Sequence, residues 1–375
     1  DDPKLRDRLY INDGQGNFVK SKDILPDMLQ SGGCVVAADY DGDNDLDLFI
    51  GGRQVPGNYP LAPKSYLLRN DNGKFIDVTQ DLAPQIQEVG MVTSAIWTDF
   101  DSDGLTDIIV VGEWLPIGFY KNNGESFEQI NESTGLDNTV GWWNRIVAGD
   151  FDNDGDEDYV VGNLGLNYKY HATKTEPFHI YYHDFDQEGN SDIVLGQYNE
   201  GIIYPVRGRE CSSQQMPMLK NRFPSFKEYA NSDLRGIYGN QLDDALHYAA
   251  TTFESSYIEN KGDGSFIRHD LPIEAQFSTV NGIIPYDYDN DGNLDILLSG
   301  NLWGSEVETG RADAGTGLVL KGNGRGEFQT LPLNKTGFFT DLDVKDIKML
   351  NENSDNPRIL VANNNAPIQI FEVSN

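Results

Sequence analysis

Five short acidic segments carry the residues best suited to chemistry. They are Asp39-Tyr-Asp41-Gly-Asp43-Asn-Asp45-Leu-Asp47, Asp99-Phe-Asp101-Ser-Asp103-Gly-Leu-Thr-Asp107, Asp150-Phe-Asp152-Asn-Asp154-Gly-Asp156-Glu-Asp158, Asp184-Phe-Asp186-Gln-Glu188-Gly-Asn190-Ser-Asp192 and Asp287-Tyr-Asp289-Asn-Asp291-Gly-Asn293-Leu-Asp295. Each holds a carboxylate at positions 1, 3, 5 and 9. The candidate ligands are Asp39, Asp41, Asp43 and Asp47; Asp99, Asp101, Asp103 and Asp107; Asp150, Asp152, Asp154 and Asp158; Asp184, Asp186, Glu188 and Asp192; and Asp287, Asp289, Asp291 and Asp295. Four carboxylates converge when the chain turns tightly, and Gly at position 6 permits that turn. Hard oxygen donors in this number suit Ca²⁺ better than Mg²⁺, which demands a stricter octahedron. About five calcium ions are therefore expected.

The same start, Asp-x-Asp-x-Asp-Gly, opens an EF-hand loop, which requires Glu at position 12. Position 12 here is Ile50, Val110, Val161, Leu195 or Leu298, so that reading fails. Solvated acidic turns without metal are the plainer alternative, but close carboxylates in one register five times over would repel strongly without a cation. A sixth segment, Asp341-Leu-Asp343-Val-Lys345-Asp346, is degenerate. Either the Lys345 ammonium stands where calcium sits elsewhere, or the loop has simply decayed.

Stepping outward, the elements that must hold these loops are strands. Leu48-Phe49-Ile50, Ile108-Ile109-Val110-Val111, Tyr159-Val160-Val161, Ile193-Val194-Leu195 and Ile296-Leu297-Leu298 follow the loops and are short, apolar and mostly closed by Gly. Such runs read as buried strands. Asn/Gly turns ending in Phe, such as Asn70-Asp-Asn-Gly73-Lys-Phe75 and Asn122-Asn-Gly124-Glu-Ser-Phe127, mark a second hairpin in each unit. Two hairpins make a four-stranded propeller blade. The expected fold is all-β: one β-propeller domain over residues 1–375, with a small helical insertion at about 205–250 packed on a face or rim. The count is seven blades if the N-terminal hairpin at 9–20 owns a blade, the reading adopted, and six if it joins the last unit.

Composition limits the function. With 60 acidic and 28 basic residues the chain carries a formal charge of −32, which opposes nucleic-acid binding and adsorption to anionic membranes. Its 38% hydrophobic content describes a folded protein, so the acid needs a structural role. No apolar run is long enough to span a membrane. Cys34 and Cys211 could pair in an exported protein or stand as buried thiols. The start, Asp1-Asp2-Pro3-Lys4, is not a signal peptide and runs into the middle of a repeat, as a mature fragment or excised domain would.

At its acidic loops the chain resembles the FG-GAP/VCBS repeats of integrin-like β-propellers. More fully, it is similar to exported multi-repeat proteins related to the ASPIC/UnbV and cartilage acidic protein family. That likeness includes Ser31-Gly-Gly-Cys34, Gly51-Gly-Arg53, Gly112-Glu-Trp114-Leu-Pro116, Gly141-Trp-Trp-Asn144, Gly162-Asn-Leu-Gly-Leu-Asn167 and Gln215-Met-Pro217. The resemblance implies secretion or attachment to the cell surface, outer-membrane-associated in Bacteroidota and their relatives. It implies no catalytic residues.

No catalytic constellation stands out. His171, His179, His183, His247 and His269 lie in no HExxH or GxSxG setting. The expected function is a non-catalytic binding or scaffold module for a protein or glycan partner, free or within a larger surface or outer-membrane complex. A propeller-type polysaccharide lyase is the alternative, with Arg207, Arg209 and His247 the nearest candidates for its chemistry. Strand alternation puts the turns after second strands on the face opposite the acidic loops. Those turns and the entries to first strands carry Arg53, Trp114, Trp142, Trp143, Asn144 and Trp303, the candidate ligand-binding residues. Burial between blades is the competing reading for the tryptophans.

Overall fold

The computed structural model describes residues 3–305, 309–352, 354 and 356–373. The chain divides into two compact units: Asp1–Asp137, Trp142–Lys169 and Glu254–Asn375 form the first, and Asn138–Gly141 with Tyr170–Phe253 the second. The single domain expected from the repeats is thus met as two units, the second formed by chain inserted into the first.

Five antiparallel sheets of three or more strands, and one two-stranded hairpin, build the first unit. The first sheet runs Ser31–Ala38, Asp47–Gln54, Tyr66–Asn70, Phe75–Asp77, and the second is built on Met91–Thr98, Asp107–Leu115, Gly118–Asn122, Phe127–Gln129. The third joins Arg145–Gly149 and Asp158–Gly162 to Ser256–Asn260 and Phe266–Asp270. The fourth runs Gly282–Tyr286, Asp295–Ser299, Leu318–Gly322, Phe328–Leu331, and the fifth has the three strands Val344–Leu350, Arg358–Asn363, Gln369–Glu372. The N-terminal hairpin, Tyr10–Asn12 with Phe18–Lys20, is a two-stranded sheet of its own and does not pair with the last one.

The first strands of successive sheets pack side by side, from Ser31–Ala38 through to Val344–Leu350. The larger apolar cores lie between neighbouring sheets. Phe49 and Leu67 of the first meet Ile108, Val110 and Tyr120 of the second; Ile109 and Phe119 of the second meet Tyr159, Val161 and Ile258 of the third. Val160 and Tyr257 then meet Ile296 and Leu320, and Leu297 and Val319 meet Ile347 and Val361. Second strands buried on both faces explain the continuous apolar runs after each loop. At Gly33 the backbones come too close for any side chain, since a Cβ would stand 2.2 Å from the Val92 carbonyl oxygen. This radial stack of antiparallel sheets is a β-propeller arrangement.

The second unit departs from the repeat. Its sheet has the order Ile202–Pro205, Asp192–Asn199, Phe178–His183, Leu246–Ala250, so the last strand pairs with the first rather than the third. Sequence spacing had made the fourth acidic segment one blade in the series. It lies instead in a sheet of different strand order, inserted between the second and third strands of the third sheet. That insertion, not a shortened blade, explains the brief spacing before it. Helices Arg209–Gln215, Met218–Arg222, Phe226–Ala230, Leu234–Tyr238 and Gln241–Asp244 fall within the expected helical stretch. Met216, Leu219, Tyr229, Leu234 and Ile237 pack with Phe185 and Val194 of the inserted sheet. Ser225 and Glu228 form a reciprocal N-cap.

No helix among the described residues is long and apolar enough to cross a membrane. Cys34 is a half-buried thiol whose pKa burial raises to about 11. It is not bridged to Cys211.

Candidate metal loops and an inner cavity

Each acidic loop begins directly after the first strand of its sheet and ends on the first residue of the second. The position-1 carboxylate organises the turn by accepting backbone N–H groups. Asp99 accepts from Asp103 at 3.0 Å and Gly104 at 2.8 Å; Asp184 accepts from Glu188 at 3.0 Å and Gly189 at 2.8 Å; Asp287 accepts from Asp291 at 3.0 Å and Gly292 at 2.9 Å. Position 6 takes positive φ in every loop, from 71° at Asn44 to 100° at Gly155. Asn tolerates that region better than most residues, so the first loop keeps the turn without Gly.

The turn gathers carboxylates as the spacing requires. Asp39, Asp41 and Asp43 present oxygens within 4.8 Å of one another, as do Asp287, Asp289 and Asp291. In the other three loops the close sets are Asp99, Asp101 and Asp107; Asp150, Asp152 and Asp158; and Asp184, Asp186 and Asp192. Asp103, Asp154 and Glu188 at position 5, and Asp47 and Asp295 at position 9, lie outside these close sets.

The donor set suits a hard divalent cation. Buried oxygens of Asp101, Asp107 and Asp150 find no hydrogen-bond partner among the described residues. Burial pushes Asp47 and Asp158 up to about 6 and Asp107 to about 7, with neighbouring loop carboxylates adding to each shift. A bound Ca²⁺ would supply the positive charge these clustered acids lack. Asp41, Asp152, Asp192 and Asp295 are raised in the same direction, by desolvation first.

Position 9 has a second role that spacing alone did not reveal. Asp47, Asp107, Asp158 and Asp295 are wholly buried. One oxygen of Asp158 accepts from Phe151 N at 3.1 Å and Tyr257 Oη at 2.8 Å, and the other from Asn260 N at 2.8 Å. Asp47 likewise accepts from Tyr40 N and Asn70 N, and Asp295 from Tyr288 N and Gly322 N. These carboxylates clamp the loop to the outer hairpin of the same sheet.

Lysine ammonium groups reach two loops. Lys121 pairs with Asp101 and, at 2.9 Å, with Asp103; Lys321 pairs with Asp289 and, at 2.9 Å, with Asp291. Lys345, by contrast, does not occupy a calcium loop. Its Nζ donates to Asp343 Oδ1 at 2.7 Å, and both residues stand at the start of the first strand of the fifth sheet. The acidic loops follow first strands, so the degenerate sixth segment is at the wrong end of its sheet. The idea that Lys345 replaces calcium is corrected on that ground.

A cavity of about 520 Å³ opens at those opposite strand ends. Gly33, Thr93, Asn144, Arg145, Asn281, Lys345 and Asp346 bring all five first strands or their entries to it. Arg53 and Glu113, from the ends of second strands, complete its polar wall, with Trp142, Leu164 and Leu302 supplying apolar surface. Arg53 Nη2 donates to Glu113 Oε1 at 2.5 Å, and Arg145 pairs with Asp346.

The expected ligand face is therefore divided. Arg53, Trp142 and Asn144 line the cavity. Trp114 and Trp143 are 3% and 0% exposed. Trp143 belongs to the core between the second and third sheets, while Trp114 donates from Nε1 to Tyr59 Oη at 2.7 Å. For these two, burial corrects the reading as ligand contacts. Trp303 lies outside the cavity lining, with the Arg311 guanidinium 4.6 Å above its ring. Glu113, Arg145, Asn281 and Asp346 were missed. Glu113 adjoins Trp114 and Arg145 adjoins Asn144, so adjacency to predicted residues was the available signal.

In the second unit, Arg209 donates to the carbonyls of Phe223 at 2.6 Å and Pro224 at 3.4 Å. His247 Nε2 lies 2.8 Å from His179 Nδ1. Arg209 thus ties down the helical stretch, and His247 joins a histidine pair.

The FG-GAP-like repeat family model matches residues 3–50 and 99–161. Over these two stretches the chain is similar to FG-GAP-like repeats. Both matched stretches contain acidic loops described above. No curated protein matches the chain. Among solved structures, an Agrocybe aegerita lectin that recognises non-reducing terminal N-acetylglucosamine is similar at 14% identity and a TM-score of 0.30, over 86% of this chain and 72% of the lectin. The biofilm matrix protein Bap1 of V. cholerae aligns at 11% identity and 0.35, over 98% and 73%. The exotype rhamnogalacturonan lyase YesX aligns at 11% and 0.35, with this chain covering 56% of the lyase.

Proposed function

We propose that this FG-GAP-repeat chain is a calcium-stabilised, non-catalytic binding module for a protein or glycan partner. It acts outside the cell or at its surface, within or beside a larger outer-membrane complex. The observation that carries the reading is the division of labour along each strand pair in the first unit. At one end the acidic loops gather carboxylates suited to a hard cation and clamp hairpins. At the other end Arg53, Trp142 and Asn144 line a polar cavity with Glu113, Arg145 and Asp346. Tyr59, the phenol against Glu113, is pushed well above its ordinary pKa by burial and that carboxylate, which suits a hydrogen-bond donor rather than a base.

The relationship to ASPIC/UnbV and cartilage acidic proteins belongs to the same proposal. Affinity capture with the calcium-loaded chain, from native envelope extract and on a glycan array, tests the binding reading. Reproducible partners that are released unmodified are expected. Formation of unsaturated product from uronic-acid polymers would replace this reading with the lyase.

A further inference from the structure

We infer that the inner cavity of the first unit is a binding site for a neutral sugar residue, a reading that rests on the binding-module function and assigns its ligand class. The cavity volume of about 520 Å³ falls in the range of small-molecule sites, roughly 300–1,000 Å³. Its charge is balanced. Arg53 is held by Glu113, Arg145 by Asp346, and Lys345 by Asp343, so each lining cation already has its anion. A phosphate or uronate would have to displace a carboxylate, inside a chain of formal charge −32. A cationic ligand would meet three fixed cations.

Hydrogen-bonding capacity is left over. Arg53 and Asn144 are half-buried side chains whose Nη1 and Nδ2 have no partner among the described residues; both nitrogens are closed to water, so a ligand meets them only by a turn of the side chain. Unmet buried donors are costly, so a ligand bringing neutral oxygens gains from meeting them. Glu113 and Asp346 meanwhile supply acceptors. A hydroxyl both donates and accepts, and only a polyhydroxylated ligand satisfies such a mixed wall at many points. The Trp142 ring, with Leu164 and Leu302, offers apolar surface to the C–H face of a sugar ring. An extended peptide matches the donors and acceptors less well, because its backbone groups lie on opposite edges while the polar groups here come from five strands that converge on one cavity. Five first strands or their entries converge on the site, which favours a glycan end over an internal segment.

The test uses the calcium-loaded chain and saturation-transfer NMR with tryptophan fluorescence. Probes are D-glucose, D-galactose, D-mannose, L-fucose and N-acetyl-D-glucosamine, with D-galacturonate, inorganic phosphate and tetra-alanine for comparison. At least one neutral sugar is expected to bind in the millimolar range, with Asn144→Ala and Arg53→Met each weakening it about tenfold, the loss of one good hydrogen bond. Asn144→Ala keeps the inference falsifiable if Arg53→Met unfolds by stranding Glu113. No neutral-sugar binding at tens of millimolar, unchanged affinity in folded Asn144→Ala, or preference for a charged probe or the peptide would overturn it. If sugars fail but affinity capture still yields partners, the cavity inference falls and the binding module stands. If both fail, both fall.

Discussion

The side-chain amide of Asn122 donates to the backbone carbonyl of Tyr40, 82 positions earlier, at 2.9 Å. It also donates to Thr106 at 3.1 Å, so one residue joins the second sheet's outer hairpin to the first sheet's loop. The arrangement recurs. Asn260 Nδ2 reaches the Phe100 carbonyl at 3.0 Å, and Gly326 N reaches that of Phe151 at 3.2 Å. In the inserted unit a helix residue takes the part, with Gln241 Nε2 on the Phe185 carbonyl at 3.0 Å. Four of the five second loop positions thus take a donor from outside the loop. Asn122→Ala should cost about 1–3 kcal/mol, the penalty for a buried carbonyl left unmet. Urea unfolding with unchanged m-value checks this; a cost near zero would mean the link is incidental.

Removing the metal should lower stability throughout the first unit. An ion that binds only the folded loop contributes about 2.7 kcal/mol at a concentration 100 times its Kd. Dialysis against EDTA, with metal analysis to confirm removal, should drop the melting temperature by several degrees, and calcium should restore it. Unchanged melting after proven removal would show the loops to be solvated turns.

Asp152 and Asp158 should separate on chelation. Asp152 belongs to the close carboxylate set, so Asp152→Ala should destabilise the calcium-loaded chain and do little in EDTA. Asp158 also clamps two backbone N–H groups and the Tyr257 hydroxyl, so Asp158→Ala should cost about 3 kcal/mol or more with or without calcium. Equal behaviour of the two variants in EDTA would remove the clamp.

Lys121 should oppose calcium at the second loop. Its ammonium pairs with Asp101 and Asp103, so Lys121→Met should tighten calcium binding there several-fold, an effect reduced by salt. Calcium titration of a chain whose other loops carry Asp→Asn at position 3 isolates this site. Weaker binding in the variant would show that Lys121 supports the loop geometry instead.

His179 should make the inserted unit sensitive to acid. Burial, with His247 adding to it, lowers its pKa from 6.5 to about 4, so the folded form binds its proton less readily than the unfolded chain. The associated stability is fully present above pH 6.5 and is lost as pH falls towards 4. His179→Gln should flatten this part of the stability profile, read by hydrogen exchange in the strand Phe178–His183. A profile of unchanged slope would assign the acid response to other groups.

Local order in the sequence determined the loops, their hard-oxygen chemistry and the strands around them. Asp spacing, turn glycines and short apolar runs act over a few residues, so the acidic segments and their hairpins were legible without any tertiary contact. What tertiary structure decided depended on residues distant in the chain. The third sheet closes across the insertion between Gly162 and Ser256, which made the fourth acidic loop part of another sheet. The role of Asp158 as a clamp needed Asn260 brought beside it, 102 positions away. Trp142 and Trp143 are adjacent in sequence, yet one lines the cavity and the other is core, because neighbouring side chains take opposite directions in extended chain. Arg145 and Asp346 meet across 201 positions, a pairing that no local pattern encodes because only the convergence of first strands puts the two charges in contact.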